Sequence, residues 1–116
     1  MVKVLIVEDQ SAIRKLMREV LYDGFQLEFA GTAEDAIRFS TDFMPDIILL
    51  DVGLPDMNGI DALPRLKNIV PEAKILILTG NSDVALLKRA FSLGASDYIS
   101  KPFDLFALRT LLISMM

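Results

Sequence analysis

The 116-residue sequence has no histidine and no cysteine, and each absence removes a class of chemistry. Without cysteine there is no disulfide framework, no thiolate nucleophile and no cysteine-held zinc or iron–sulfur site. Without histidine there is no Ser-His-Asp triad and no imidazole metal ligand. Although 53% of the residues are hydrophobic, no apolar run approaches the roughly 18 residues that a membrane span needs, so the excess points to a well-filled core and no membrane role is expected. The chain opens almost at once on a strand-like run, Val2 to Val7, without the basic and apolar regions of a secretory leader. A cytoplasmic location is expected. Basic residues are outnumbered 12 to 16 and the net charge is −4, which argues against direct nucleic-acid contact, because phosphate binding needs clustered Lys and Arg. Carboxylates, hydroxyls and lysine are what remain. The length fits one domain over residues 1–116.

Along that domain the apolar pattern alternates between short β-like runs and helical spacing, the order of an α/β protein with a parallel sheet. The runs are Val4 to Val7, Leu27 to Ala30, Ile47 to Leu50, Ile75 to Leu78 and Tyr98 to Ser100. The first, third and fourth are almost wholly Val, Ile and Leu, as central strands covered on both faces should be, whereas Gln26-Leu27-Glu28-Phe29 alternates like a strand at the rim. Ser11, Thr32, Ser82 and Asp104 stand where they can cap helices one, two, four and five. Helix one carries an apolar stripe of Ile13, Leu16, Met17, Val20 and Leu21, with Arg14, Lys15, Arg18 and Glu19 expected in water and Gly24 as a stop. Pro64 predicts that helix three begins near Asp61 or bends. Helix five is apolar nearly all round, from Leu105 to Met116 with Arg109 as its one charge, which suggests a covering dimer mate, partner or following segment.

In a doubly wound sheet, ligands bind beyond the carboxyl ends of the strands, so function is sought there. Glu8 and Asp9 follow strand one, Asp51 strand three, Thr79 strand four and Lys101 strand five. Singly, each has an ordinary explanation: acids favour a helix N-terminus, Thr precedes a Gly turn, and a lysine is usually solvated. Together they place a polar group at the end of every central strand. If strands one and three are neighbours, Glu8, Asp9 and Asp51 converge and repel one another. A hard divalent cation resolves this, and Mg²⁺ suits an all-oxygen site, with the Gly53 carbonyl as a further candidate ligand. A carboxylate beside such a cation and a fixed lysine can attack a phosphoryl group, while Lys101 offsets charge on the transferred oxygens and Thr79 can donate to one of them.

These residues sit in Val4-Leu5-Ile6-Val7-Glu8-Asp9, Asp46-Ile47-Ile48-Leu49-Leu50-Asp51, Leu54-Pro55-Asp56-Met57-Asn58-Gly59, Ile77-Leu78-Thr79-Gly80, Gly94-Ala95 and Lys101-Pro102-Phe103. In all of these the sequence resembles a CheY-like receiver domain of the response regulators, over essentially its whole length. The resemblance implies a flavodoxin-like (βα)5 fold with strand order 2-1-3-4-5, phosphorylation of Asp51, Mg²⁺ held by Glu8 and Asp9 together with Asp51, a switch formed by Thr79 and Tyr98, and a cis Lys101-Pro102 bond. It implies a histidine kinase or histidine phosphotransfer protein as donor and a downstream effector domain or protein as recipient, with a homodimer through helix four, strand five and helix five as a further possibility. The stretch Glu8 to Arg14 and Lys101 to Asp104 resemble the single-domain regulators of sporulation-type phosphorelays, which gives Gln10, Ile13 and Phe103 a contact role. Gly53 and Gly80 are smaller than many members carry there. Three other classes fit less well. A receiver-like module without phosphorylation predicts a broken acidic pair, aspartate or lysine. A haloacid-dehalogenase-type hydrolase needs an aspartate where Gly53 stands, and a flavodoxin-like cofactor carrier would set a phosphate against Glu8 and Asp9.

Overall fold

The computed structural model describes residues 1–80 and 84–116. Five strands alternate with five helices: β1 (Lys3–Val7), α1 (Ser11–Leu21), β2 (Gln26–Ala30), α2 (Ala33–Phe43), β3 (Ile47–Asp51), α3 (Gly59–Ile69), β4 (Lys74–Thr79), α4 (Val84–Ser92), β5 (Asp97–Ser100) and α5 (Leu105–Ser114). All strand pairs are parallel and the order is β2-β1-β3-β4-β5, so β2 lies at the rim as its alternation predicts, and β1 and β3 are neighbours. Among the described residues no helix is long and apolar enough to cross a membrane.

The period of two along each central strand divides its side chains between two apolar layers. Leu5, Val7, Ile48, Leu50, Ile75 and Ile77 face α2, α3 and α4. Val4, Ile6, Ile47, Leu49, Leu76 and Leu78 face α1 and α5, where Met17, Leu21, Leu108 and Leu112 are fully buried. Each strand is therefore clamped from both sides, and its carboxyl end is the point at which side chains leave the core for solvent.

The helices depart from expectation at three boundaries and at one position on the buried face of α1. Ser11 is the first helical residue of α1 rather than its cap; Gln10 occupies the extended cap position, and no side chain caps the helix. α3 begins at Gly59, before Asp61, because the Asn58 side chain accepts the Ile60 amide at 2.9 Å and closes that end. Pro64 costs one bond at the Ile60 carbonyl, outweighed by burial of Ile60, Leu63 and Leu66. Gly24 does not end α1, which stops at Leu21 with Tyr22 as its cap; its smallness instead admits the Arg109 guanidinium, 3.0 Å from where a Cβ would stand. Leu16, on the predicted apolar stripe, is 46% exposed at the margin of the buried face. Thr32 and Asp104 cap α2 and α5 as expected, accepting the amides of Asp35 and Phe106. The fourth expected cap, Ser82, lies outside the described residues. On α5, Leu108 and Leu112 are buried while Phe106 and Ile113 stay exposed. Its one charge, Arg109, is spent inward on the Val20 carbonyl at 3.0 Å and Asp23 at 3.0 Å.

The loop after β3 is held tightly against the strand it leaves. The Gly59 amide donates to the Val52 carbonyl at 2.9 Å, Gly53 and Asn58 form an antiparallel bridge, and a Cβ at Gly59 would collide with the Asp51 carbonyl. Gly59→Ala is expected to destabilise the protein by about 2 kcal/mol or more, as overpacking against backbone does, measured as a lower urea midpoint at unchanged slope.

Candidate functional site

Because β1 and β3 are hydrogen-bonded neighbours, their ends bring Glu8, Asp9 and Asp51 together, with a carboxylate oxygen from each lying within 4.8 Å of the others. Glu8 and Asp51 are almost wholly buried, at 1% and 3% exposure, while Asp9 opens to solvent. Lys101 crosses from β5, its Nζ 2.7 Å from Asp51 Oδ2 and 3.7 Å from Glu8 Oε1. The ammonium is thus nearer the central aspartate. Asp51 Oδ1 accepts the Gly53 amide at 3.0 Å, so both oxygens of this carboxylate are held in direction. Thr79 is buried at the end of β4, where its carbonyl accepts the Lys101 amide at 2.7 Å. The Lys101-Pro102 peptide bond is cis.

The electrostatics follow from this crowding. Glu8 is pushed up from an ordinary 4.5 to about 7, first by burial; the Gln10 amide opposes that rise, whereas the Asp51 charge and hydrogen bonds shared with Asp9 and Asp51 add to it. Three clustered carboxylates facing one ammonium make a donor set of hard oxygens with surplus negative charge. Such a set fits a hard divalent cation and excludes nothing that Mg²⁺ requires.

Other expected residues lie apart from this cluster. Tyr98 is 39% exposed and meets the Phe91 ring edge-on, with centroids 6.3 Å apart at 72°, so the structure holds it outside the acidic pocket. Gln10, Ile13 and Phe103 do come together. With Leu16, Pro102 and Leu105 they line a groove of about 430 Å³ that reaches Glu8 and Lys101.

Two contributors escaped the sequence reading. Arg14, expected in water, folds back so that Nη1 donates to the carbonyls of Glu8 at 2.7 Å and Asp9 at 3.0 Å. Nothing in the spacing signals this, since a basic residue on a polar helix face ordinarily points outward. Asp56, in the segment Leu54 to Gly59, accepts the amides of Ala33 at 2.9 Å and Glu34 at 3.0 Å and so ties the β3–α3 loop to α2. Partial desolvation acts to raise its carboxyl, yet these amides and those of Asp56 itself and Met57 hold it below the usual range.

Comparison with known proteins agrees with this geometry. The family described as the response regulator receiver domain matches residues 4–113. The chain is 36% identical over 108 residues to sporulation initiation phosphotransferase F of Bacillus subtilis, covering 92% of this chain and 87% of that protein. It is 35% identical over 106 residues to the transcriptional regulatory protein KdpE of Mycobacterium tuberculosis, covering 90% of this chain but 46% of that one, so it spans under half the length of some relatives. Chemotaxis protein CheY4 of Vibrio cholerae superposes with a TM-score of 0.93 at 27% identity, covering all of this chain and 99% of that one.

The raised Glu8 gives a pH dependence with a definite sign. Because the folded protein holds this proton more tightly than the unfolded chain, its contribution to metal-free stability is greatest below about pH 4.5 and is lost as pH climbs to about 7. At pH 8 without metal, Glu8→Gln is expected to be more stable than wild type, by up to about 3 kcal/mol. The difference should shrink toward pH 5, as thermal unfolding at both pH values would record.

Proposed function

The chain belongs to the response regulator receiver family, and from that membership we propose that it accepts a phosphoryl group on Asp51 from a histidine kinase or histidine phosphotransfer protein. The observation that carries the assignment is Asp51 itself, a nearly buried carboxylate fixed between the Lys101 ammonium at 2.7 Å and the Gly53 amide at 3.0 Å. Each Asp51 oxygen keeps a lone pair free of those partners. One of them forms the new bond to phosphorus as the bond to the donor nitrogen breaks, and the donor leaves as neutral imidazole once protonated. Lys101 Nζ stands where negative charge gathers on the transferred oxygens. Thr79, buried beside them at the end of β4, supplies a hydroxyl to the new phosphoryl group.

Mg²⁺ is the cofactor this reading assigns to Glu8, Asp9 and Asp51, with the Gly53 carbonyl as a further ligand, and when bound it neutralises charge on the phosphoryl oxygens. Burial of Glu8 leaves a carboxyl that ionises with difficulty at neutral pH, and a divalent ion is what restores its charged form. The chain is thus a regulatory phospho-acceptor that assists its own phosphorylation and dephosphorylation.

Signal output follows from Tyr98. Its exposed ring, edge-on to Phe91, turns inward when Thr79 moves toward the phosphoryl group, and the surface of α4, β5 and α5 changes with it. Phe91, Tyr98 and Phe106 are exposed on that surface, where a downstream effector or a second copy of this chain docks. The donor docks in the groove lined by Gln10, Ile13 and Phe103, beside the Lys101 ammonium.

Wild type given acetyl phosphate and Mg²⁺ should gain the mass of one phosphoryl group, and Asp51→Asn should gain none; equal modification of both would refute the site. Lys101→Ala should slow acceptance by about a hundredfold, followed by the same mass assay. Ile13→Glu or Phe103→Ala should impair transfer from a phosphorylated histidine protein at least tenfold while leaving acetyl phosphate reactivity intact, because the groove serves the donor protein and not the chemistry.

A further inference from the structure

Arg14 occupies the first turn of α1, where a positive charge opposes the helix dipole. Its side chain nevertheless turns back beneath the acidic corner, and a single nitrogen, Nη1, bridges the carbonyl oxygens of Glu8 at 2.7 Å and Asp9 at 3.0 Å. It rests close to Gly31, whose absent Cβ would stand 3.5 Å from the same atom. Main-chain bonds hold the two ends of this corner. The Glu8 amide donates to the Ala30 carbonyl at 3.0 Å, and the amides of Ile13 and Arg14 donate to the Gln10 carbonyl at 3.1 Å each. Between those ends lie the two peptides from which the Glu8 and Asp9 carboxylates depart, and the guanidinium grips both through charged donors, which are roughly twice as strong as neutral ones.

We propose that Arg14 is a positioning residue for the divalent cation, fixing through the Glu8 and Asp9 carbonyls the direction in which their carboxylates meet the ion. The proposal rests on the reading that Glu8, Asp9 and Asp51 hold Mg²⁺. Two opposite effects make it decidable. As a bare positive charge, Arg14 repels a second cation, so its removal would tighten Mg²⁺ binding. As a clamp on the ligand-bearing backbone, it favours binding, and its removal weakens the site, as loss of a partner behind a metal ligand commonly does by about 10- to 100-fold.

The test is Mg²⁺ titration followed by amide chemical shifts on wild type, Arg14→Gln, Arg14→Lys and Arg18→Gln. Arg18 lies over the Phe29 ring on the same helix and provides a control with the same change in net charge. Arg14→Gln should bind Mg²⁺ about tenfold more weakly, Arg14→Lys should recover most of that loss because it restores a charged donor, and Arg18→Gln should bind no more weakly than wild type. Should Arg14→Gln fail to fold, Gly31→Val, which crowds the guanidinium from β2's end, is expected to show the same weakening. Binding by Arg14→Gln as tight as wild type or tighter, or no recovery in Arg14→Lys, overturns the proposal. Absence of any Mg²⁺ response in wild type sinks the metal reading instead, and the two failures are thereby told apart.

Discussion

Two nearly buried carboxylates on adjacent strands, Glu8 and Asp51, set the terms for the rest of this protein. Burial out of water raises the Glu8 carboxyl first, and the neighbouring Asp51 charge adds to that rise. Lys101 offsets part of the negative charge but stands 2.7 Å from Asp51 against 3.7 Å from Glu8, so the compensation is lopsided. That imbalance ties Asp51 directly to the ammonium and leaves Glu8 with the weaker share of it. Such a site suits the metal ion and phosphoryl anion that the proposed function brings to it.

Holding such a site open requires rigidity around it. The sheet is packed on both faces by aliphatic layers, with α1 and α5 on one side and α2, α3 and α4 on the other. Interiors of that kind resist continuous deformation, so the strand ends keep their separation. The loops are then secured one by one. Arg14 holds the β1 corner, Gly59 lets the β3 loop close over the Asp51 carbonyl, and Asp56 moors that loop to α2. Arg109 draws α5 onto the last turn of α1 through Val20 and Asp23, which explains why an otherwise apolar helix carries that charge. Phe91, Tyr98 and Phe106 are left exposed on α4, β5 and α5, while Ile13 and Phe103 line a groove that extends to Leu105 at the start of α5.

Much of this was legible in the chain. The almost wholly Val, Ile and Leu runs marked β1, β3 and β4 as central, the alternation of Gln26 to Phe29 marked β2 as an edge, and Thr32 and Asp104 marked the starts of α2 and α5. The convergent residues Glu8, Asp9, Asp51 and Lys101 stood out because each directly follows a predicted strand. The structure departs from the reading at Ser11, at Gly24, at Leu16 and at the start of α3. At Ser11 and α3 a neighbouring residue, Gln10 or Asn58, takes the cap position, whereas at Gly24 the deciding partner is the distant Arg109 guanidinium, which no local propensity registers.

The sequence alone determined the alternating elements, the family they belong to and the chemical inventory, because periodicity and residue type are local properties that survive without coordinates. Tertiary structure decided which carbonyls Arg14 grips, where Asp56 anchors, that Tyr98 points outward against Phe91, and how unequally Lys101 divides itself between two acids. Those outcomes depend on distances of a few ångströms between residues far apart in the chain, and only the packing of the sheet against its helices sets such distances.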